Sequence, residues 1–330
     1  MNTVNLMESK LKVYTTKIIL PIALLMAIFH LYSAIIPVGL DPYLQRSIHL
    51  TFILSMAFFL FPFKLKENKS SILDVILAIL GVGATLYITF NYQSIQLQAG
   101  LPTDFQTILA GIITIIIIEA TRRTTGWALP IITICALLYG YLGHHIPGQW
   151  GHAGFSLDRM LGYVYLTDQG IWSTPIAVSA TVLTIFIIFG SFLQKAKIER
   201  TFNDLSTAVA GGTAGGPAQT AVISSALTGT VNGSAVANVA TTGTITIPMM
   251  IKRGYKPSFA AGVEATASTG GQLMPPIMGA GAFIMADLLG VGYFSVVIAA
   301  LIPAILYFAN CMITVQFEAS RIGLKAKKRA

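Results

Sequence analysis

Eight apolar blocks, most of them about as long as a bilayer is thick, constrain the fold of this chain more than any other feature. They run at 18–37, 47–63, 72–92, 105–121, 127–145, 171–194, 258–289 and 293–317. Hydrophobic residues make up 54% of the chain and charged residues 10%, against about 25% charged in a soluble domain. A soluble fold of 330 residues could bury a large core, but it would need far more charge to cover its outside. The blocks therefore read as about eight transmembrane helices, and the chain as an all-α integral membrane protein.

The net charge of +8 does not mark a nucleic-acid binder. The basic residues sit in short clusters between apolar blocks, where membrane topology places them. With a cytoplasmic amino terminus and one crossing per block, the cytoplasmic set is Lys10, Lys12 and Lys17; Lys64, Lys66 and Lys69; Arg122 and Arg123; Lys195, Lys197 and Arg200; Lys252, Arg253 and Lys256; and Arg321, Lys325, Lys327, Lys328 and Arg329. That is 19 of the 21 Lys and Arg residues, with only Arg46 and Arg159 outside it. The parity requires the stretch 205–251 to leave and return on the cytoplasmic side, and it places the carboxyl terminus in the cytoplasm. No small-residue cleavage site promptly follows the first apolar run, which reads as a span and not a removable signal. In the outer connection 146–170, Leu157, Met160, Leu161 and Val164 recur at helical spacing after Ser156, a candidate N-cap. They predict an amphipathic helix, lying at the outer interface or packed as an ordinary loop helix.

Residues 205–251 differ in kind. They hold no Asp, Glu, Lys, Arg or His, yet are crowded with Gly, Ser, Thr and Ala. Gly211/Gly215, Gly212/Gly216 and Gly229/Gly233 are small-xxx-small pairs that let backbones approach closely. Non-helical backbone at membrane depth is tolerated only where protein wraps it or it lines a cavity. These features predict a re-entrant hairpin of two half-length helices meeting near Thr230–Gly233. Its tip offers glycine-freed carbonyls and the oxygens of Thr230, Asn232, Ser234 and Asn238, a set able to hold Na⁺ without a formal carboxylate. The same residues also allow two full-length helices packed tightly with no site.

The block 258–289 contains Ser268-Thr-Gly-Gly-Gln-Leu-Met-Pro-Pro276, and two glycines followed by two prolines do not continue a regular helix. A broken helix exposes amides and carbonyls to ions, substrate or the facing hairpin; a simple proline kink is the alternative. Glu264, just before the break, is a functional candidate as an intramembrane carboxylate, open to proton coupling. A structural ion pair with Lys256 or a snorkelling role is the competing reading. Glu119, with Arg122 and Arg123 at i+3 and i+4, reads as a helix-end pair, and Asp74 and Asp287 as interfacial residues. His144, His145 and His152 lack metal spacing, and Cys135 and Cys311 lack metal or redox spacing, so no metal beyond a coupling cation and no cofactor is expected. No phosphate loop is present, since Gly211–Thr220 has no Lys before its Thr, and no nucleophile–base pair lies in the spans. The chain does not read as an enzyme.

Gly215-Gly-Pro-Ala-Gln-Thr-Ala-Val, Gly229-Thr-Val-Asn-Gly-Ser-Ala-Val-Ala-Asn-Val, Thr246-Ile-Pro-Met-Met and Glu264-Ala-Thr-Ala-Ser-Thr-Gly-Gly-Gln-Leu-Met-Pro-Pro-Ile-Met-Gly resemble the fused permeases of tripartite ATP-independent periplasmic (TRAP) transporters, of the TAXI-associated type. The resemblance is strongest over 170–325, while residues 1–125 resemble the small four-helix subunit in pattern. It implies that 126–330 is the first inverted repeat of a large permease subunit in a bacterial cytoplasmic (inner) membrane. It also implies a cation-driven elevator importing organic acids delivered by a periplasmic TAXI-type solute-binding protein. By position, Asn232, Gly233 and Ser234, with Thr269, Gly270 and Gly271, would hold the coupling cation, Na⁺ or H⁺. Ser225, Asn238, Gln272, Pro275 and Pro276 would face the substrate. A fused permease of this type continues with a second hairpin and a second break. The sequence carries one of each, so the expectation is a partner chain holding the second half, or else a truncated or split fragment with a scaffold role.

Overall fold

In lipid, the backbone must satisfy its own hydrogen bonds, and in a computed structural model of the chain it does so through helices. The structure describes residues 15–36, 39–63, 72–98 and 100–326, and among these it has no strand. Lys10, Lys12, Lys64, Lys66, Lys69, Lys327, Lys328 and Arg329, which belong to the topology argument, lie outside the described residues. Six described helices are long and apolar enough to cross a membrane: Lys17–Ile35, Ile72–Leu97, Asp104–Thr125, Ala128–His145, Thr174–Lys195 and Tyr293–Arg321. The block at 47–63 is helical too, over Pro42–Leu60, but Gln45, Arg46, Ser47 and His49 make it more polar than the others. The block at 258–289 is interrupted.

The chain divides into two compact units, Met1–Thr181 and Val182–Ala330, each described by itself. The first holds α1 (Leu20–Ile35), α2 (Pro42–Leu60), α3 (Ile72–Leu97), α4 (Asp104–Thr125), α5 (Ala128–Leu142), α6 (Leu157–Leu166) and the start of α7 (Thr174–Lys195). α2 and α3 run antiparallel: Thr51 Oγ1 donates to Thr85 Oγ1 at 2.7 Å, and Thr89 Oγ1 to Ser47 Oγ at 2.8 Å. Leu54, Phe58, Ile88, Ile113, Ile116, Tyr165 and Trp172 form the buried core here. α4 begins with a capping box in which Thr103 and Gln106 bond each other's backbone. At its other end Arg123 binds Asp74 Oδ1 at 2.5 Å and Glu119 Oε1 at 2.7 Å, and Arg122 binds Glu119 Oε2 at 2.7 Å. The Glu119 pairing matches the sequence expectation, and buried Asp74 joins it.

The predicted helix in 146–170 is α6. Ser156 stands at its N-cap position without a side-chain cap bond; its hydroxyl beside Asp158 holds that carboxyl below the usual carboxylate range. The helix packs as a loop helix: Gly162 lies so close to Pro102 that a Cβ there would be 2.7 Å from the ring.

In the second unit follow α8 (Ile198–Ala210), α9 (Gly216–Asn232), α10 (Ala235–Arg253), α11 (Pro257–Gly270), α12 (Ala280–Leu289) and α13 (Tyr293–Arg321). Its core comprises Ala218, Ala221, Val222, Met250, Tyr255, Ala267, Phe308 and Val315, where small residues on α9 bring neighbours close. The structure corrects the start of the hairpin. Residues 205–210 belong to the amphipathic α8, which opens at Ile198 with Glu199, Arg200 and Asp204, and Gly211–Gly215 form the turn into α9. The arms are also longer than half-length. Their 17 and 19 residues, at 1.5 Å per residue, reach roughly 25–28 Å.

Candidate functional site at the hairpin and the break

The hairpin turns on two residues. Gly233 has φ +56° and ends α9, and Ser234 starts α10 by accepting a bond from Ala237 N at 3.3 Å. Asn232 Oδ1 accepts from Ser234 N at 3.1 Å, and Asn232 Nδ2 is buried with no partner. Only glycine fits at 233, because a Cβ there would lie 1.8 Å from the Met278 carbonyl oxygen.

That carbonyl belongs to the break. α11 ends at Gly270, Gly271–Leu273 make one 3₁₀ turn, and α12 starts at Ala280. Gly279 N closes the intervening loop on Gln272 O at 2.8 Å. Pro275–Pro276 is a cis peptide, and Met278 has φ +60°. A non-glycine residue in the left-handed region costs about 1 kcal/mol, and such positions persist where surrounding structure fixes them, often at functional sites. The Tyr293 hydroxyl of α13 lies 2.7 Å from Pro276 O and 2.6 Å from Ile277 O, so α13 supplies a donor to carbonyls that the break sets free.

The hairpin meets the break a second time one turn below the apex. A Cβ on Gly229 would lie 2.4 Å from Gly271 Cα. Beside this contact Asn238 Nδ2 donates to Ser225 O at 2.8 Å, tying the two arms together.

Glu264 lies deeper, fully buried on α11. Its Oε1 accepts from Ser225 Oγ at 3.2 Å, Ser268 Oγ at 3.1 Å and Thr242 Oγ1, and its Oε2 accepts from Thr246 Oγ1 at 2.5 Å. None of the ion pairs among the described residues includes it. The proposed pairing with Lys256 is not formed, because Lys256 is exposed at the start of α11 and its charge acts on Glu318. Nor does Glu264 snorkel, since no part of it is exposed.

The structure thus brings Asn232, Gly233 and Ser234 to the break, sets Gly271 against Gly229 and Asn238, and joins Ser225 to Glu264. Thr269 and Gly270 are placed elsewhere. The Thr269 hydroxyl returns to Ala265 O at 2.7 Å, and the Tyr307 ring fills the space where Gly270 would carry a Cβ, 2.3 Å away. Pro275 is buried; Gln272 and Pro276 are exposed. A cavity of about 370 Å³ opens at the apex, lined by Asn232, Gly233, Ser234, Gln272, Leu183 and Phe186 among others. Sequence reasoning missed Thr242, Thr246 and Ser268. The i, i+4 spacing of Thr242 with Thr246, and of Glu264 with Ser268, was the available signal.

Long apolar helices, a glycine-turned hairpin and an interrupted helix docked on it define an integral membrane protein of the transporter-permease class. The family model described as "Tripartite ATP-independent periplasmic transporter, DctM component" matches residues 112–330, and the chain belongs to that family. It is 32% identical over 151 residues to the C4-dicarboxylate TRAP transporter large permease protein DctM of Pseudomonas aeruginosa, covering 45% of this chain and 35% of that protein. It is 24% identical over 167 residues to the 2,3-diketo-L-gulonate TRAP transporter large permease protein YiaN of Escherichia coli, covering 51% and 39%. To the isethionate TRAP transporter permease protein DctMQ of Oleidesulfovibrio alaskensis it is 32% identical over 94 residues, covering 28% and 15%. The chain spans less than two fifths of the length of each of these relatives.

Proposed function

We propose that the chain is a membrane permease component of a cation-coupled secondary transporter in a bacterial inner membrane, importing organic acids delivered by a periplasmic solute-binding protein of the TAXI type. A second hairpin and break, on a partner chain or a further segment, would complete the site. The carrying observation is the docking of the Gly233 apex on the Met278 carbonyl, beside a cavity into whose lining Asn232, Ser234 and Gln272 bring polar groups. Neutral oxygens and half-freed carbonyls at such an apex favour a hard cation, whose charge in turn favours a carboxylate nearby. Binding of both would select one of two hairpin arrangements and so drive alternating access.

A second reading keeps the transporter and changes the coupling ion. The hydroxyls around Glu264 can serve either protonation state. Thr242 Oγ1 also reaches Asn238 O at 2.8 Å, and Thr246 Oγ1 reaches Thr242 O at 3.0 Å. These hydroxyls can donate to an ionised carboxylate, or turn to the backbone and accept from a protonated one. This favours a proton carried on Glu264.

Both are tested by uptake of radiolabelled succinate, as a representative C4-dicarboxylate, into proteoliposomes containing the chain, a cognate binding protein and the second permease half. Uptake that follows the sodium gradient supports the first ion, and uptake that follows the pH gradient supports the second. No uptake of succinate or a panel of other carboxylates under either gradient sinks the transport reading.

A further inference from the structure

Two histidines outside that site are buried in the first unit. His30 of α1 and His49 of α2 are each 1% exposed, within helices where an ionisable side chain is a functional candidate by default. His49 Nδ1 is 2.9 Å from His30 Nε2, with the ring planes at 77°. His49 Nε2 is 2.9 Å from Ser179 Oγ. Ser179 is the first residue of a π-helical turn, Ser179–Leu183, a departure from α-helix that recurs at functional sites. His30 Nδ1 is buried and completes no hydrogen bond; the Ala180 carbonyl of the π turn faces it and also lies 3.4 Å from Gln45 Nε2.

A neutral pair has two N–H groups for four ring nitrogens, and one hydrogen must lie between the rings. If His30 donates to His49, then His49 Nε2 donates to Ser179, and His30 Nδ1 is left as a bare lone pair pointing at a carbonyl oxygen. The opposite polarity relieves that clash but leaves His49 Nε2 bare, and that nitrogen is satisfied only if the Ser179 hydroxyl turns to donate. With one extra proton, three N–H groups point at the partner ring, at Ser179 Oγ and toward Ala180 O, so every ring nitrogen meets a suitable partner. A second extra proton would place two hydrogens between rings 2.9 Å apart and two like charges in an apolar surrounding.

We propose that His30 and His49 form a buried proton-binding site that takes up a single proton shared between the two imidazoles. The site is independent of Glu264 and of the transport reading. Charged groups on the packed elements are engaged elsewhere: Arg46 with the Trp172 carbonyl, Asp41 with Tyr43 N and Gln96, and Asp74 with Arg123. Lys17 lies at the far end of the first span and Asp168 in the loop before α7. The pair therefore titrates as one unit, with a macroscopic value belonging to both rings.

The test is ¹⁵N-histidine NMR of the full chain in lipid nanodiscs between about pH 8 and about pH 5. The scalar coupling across the N–H···N bond identifies the pair without mutation, and His30→Gln and His49→Gln separate it from His144, His145 and His152. The expected result is one common step in both rings, corresponding to one proton per pair, with the step altered in the surviving ring of each variant. Ring shifts that do not move over this range, or two independent steps with a full proton on each ring, overturn the proposal.

Discussion

Gly229 and Gly271 pack backbone against backbone: a Cβ on Gly229 would stand 2.4 Å from Gly271 Cα, while one on Gly271 would stand 3.0 Å from Gly229 Cα and 3.0 Å from Asn238 Nδ2. The two positions should therefore respond unequally. Gly229→Ala forces the hairpin off the break and is expected to cost on the order of 2 kcal/mol, the usual scale of overpacking. Gly271→Ala should cost less, since a few tenths of an ångström relieve it. Gly262, on the same helix as the break but with open space around it, serves as the control. Its Ala variant should leave the midpoint unlowered or raise it, since a helix-interior glycine costs about 0.5–1 kcal/mol relative to alanine. Thermal unfolding in detergent checks the order Gly229 > Gly271 > Gly262.

At the apex, Gly233 and its neighbour Ser234 separate geometry from capping. Gly233→Ala meets both an unfavourable φ of +56° and the Met278 carbonyl at 1.8 Å. Backbone must move, and carboxylate uptake should be lost even where the protein still inserts. Ser234→Ala removes one N-cap bond to Ala237 N, worth about 1 kcal/mol. Uptake should then fall only modestly. Equal effects of the two substitutions in the proteoliposome assay would contradict the docking of apex on break.

Much of this was legible locally. The charge-free run located the hairpin, Gly233 lay within the quoted tip, and Gly270-Gly271 with Pro275-Pro276 marked where the helix stops, because glycine and proline act on their own backbone. What escaped was non-local. Glu264 is caged by hydroxyls 39, 22 and 18 residues away in sequence; the i, i+4 spacing of Thr242 with Thr246 puts those two on one helix face but does not say which helix they meet. Gly270 and Gly271 are adjacent and chemically identical, yet one meets Tyr307 and the other Gly229; the helical rotation between neighbours decides which, and a resemblance by motif could not. The end of α8 was hidden for a simpler reason. Its last residues share the small, uncharged character of the hairpin, so composition ran across a boundary that the turn at Gly211–Gly215 imposes.

Glu264 permits a test that separates packing from proton chemistry. Glu264→Gln keeps the volume and one carbonyl acceptor, but its NH₂ replaces an acceptor oxygen, so the hydroxyls on that side must turn to accept while those on the other side still donate. Glu264→Ala leaves those hydroxyls without their common partner and opens a void. The alanine variant should lose about 1–3 kcal/mol, the cost of buried polar groups left unpaired, and the glutamine variant less. If the carboxyl carries the coupling proton, the glutamine variant should also lose uptake driven by a pH gradient. If sodium at the apex is the coupling ion, sodium-driven uptake should survive it. Parallel measurement of unfolding midpoints and of uptake under each gradient distinguishes the outcomes.

The buried ion pair at the end of α4 should show a directional asymmetry. Arg123 has two carboxylate partners, Asp74 and Glu119, and its guanidinium also stands over the Phe58 ring at 5.0 Å. The side chains of Arg123 and Asp74 are 4% and 0% exposed. Asp74→Asn leaves Arg123 with Glu119 and the ring, so its charge remains compensated. Arg123→Gln takes the guanidinium from both carboxylates and from the ring at once, and Asp74, which also accepts from Phe63 N at 3.3 Å, loses a close countercharge in a buried site. Removing one partner of a buried pair costs about 3–5 kcal/mol when the other charge is left uncompensated. The arginine variant should cost more than the asparagine variant, with that range as its upper bound, and the double variant should cost less than the arginine variant alone, since the second substitution removes a buried charge. A double-mutant cycle on unfolding midpoints measures this directly. Equal losses from the two single variants would mean that Arg123 gains no more from its two carboxylates and the Phe58 ring than Asp74 gains from Arg123, and the asymmetry argued here would fail.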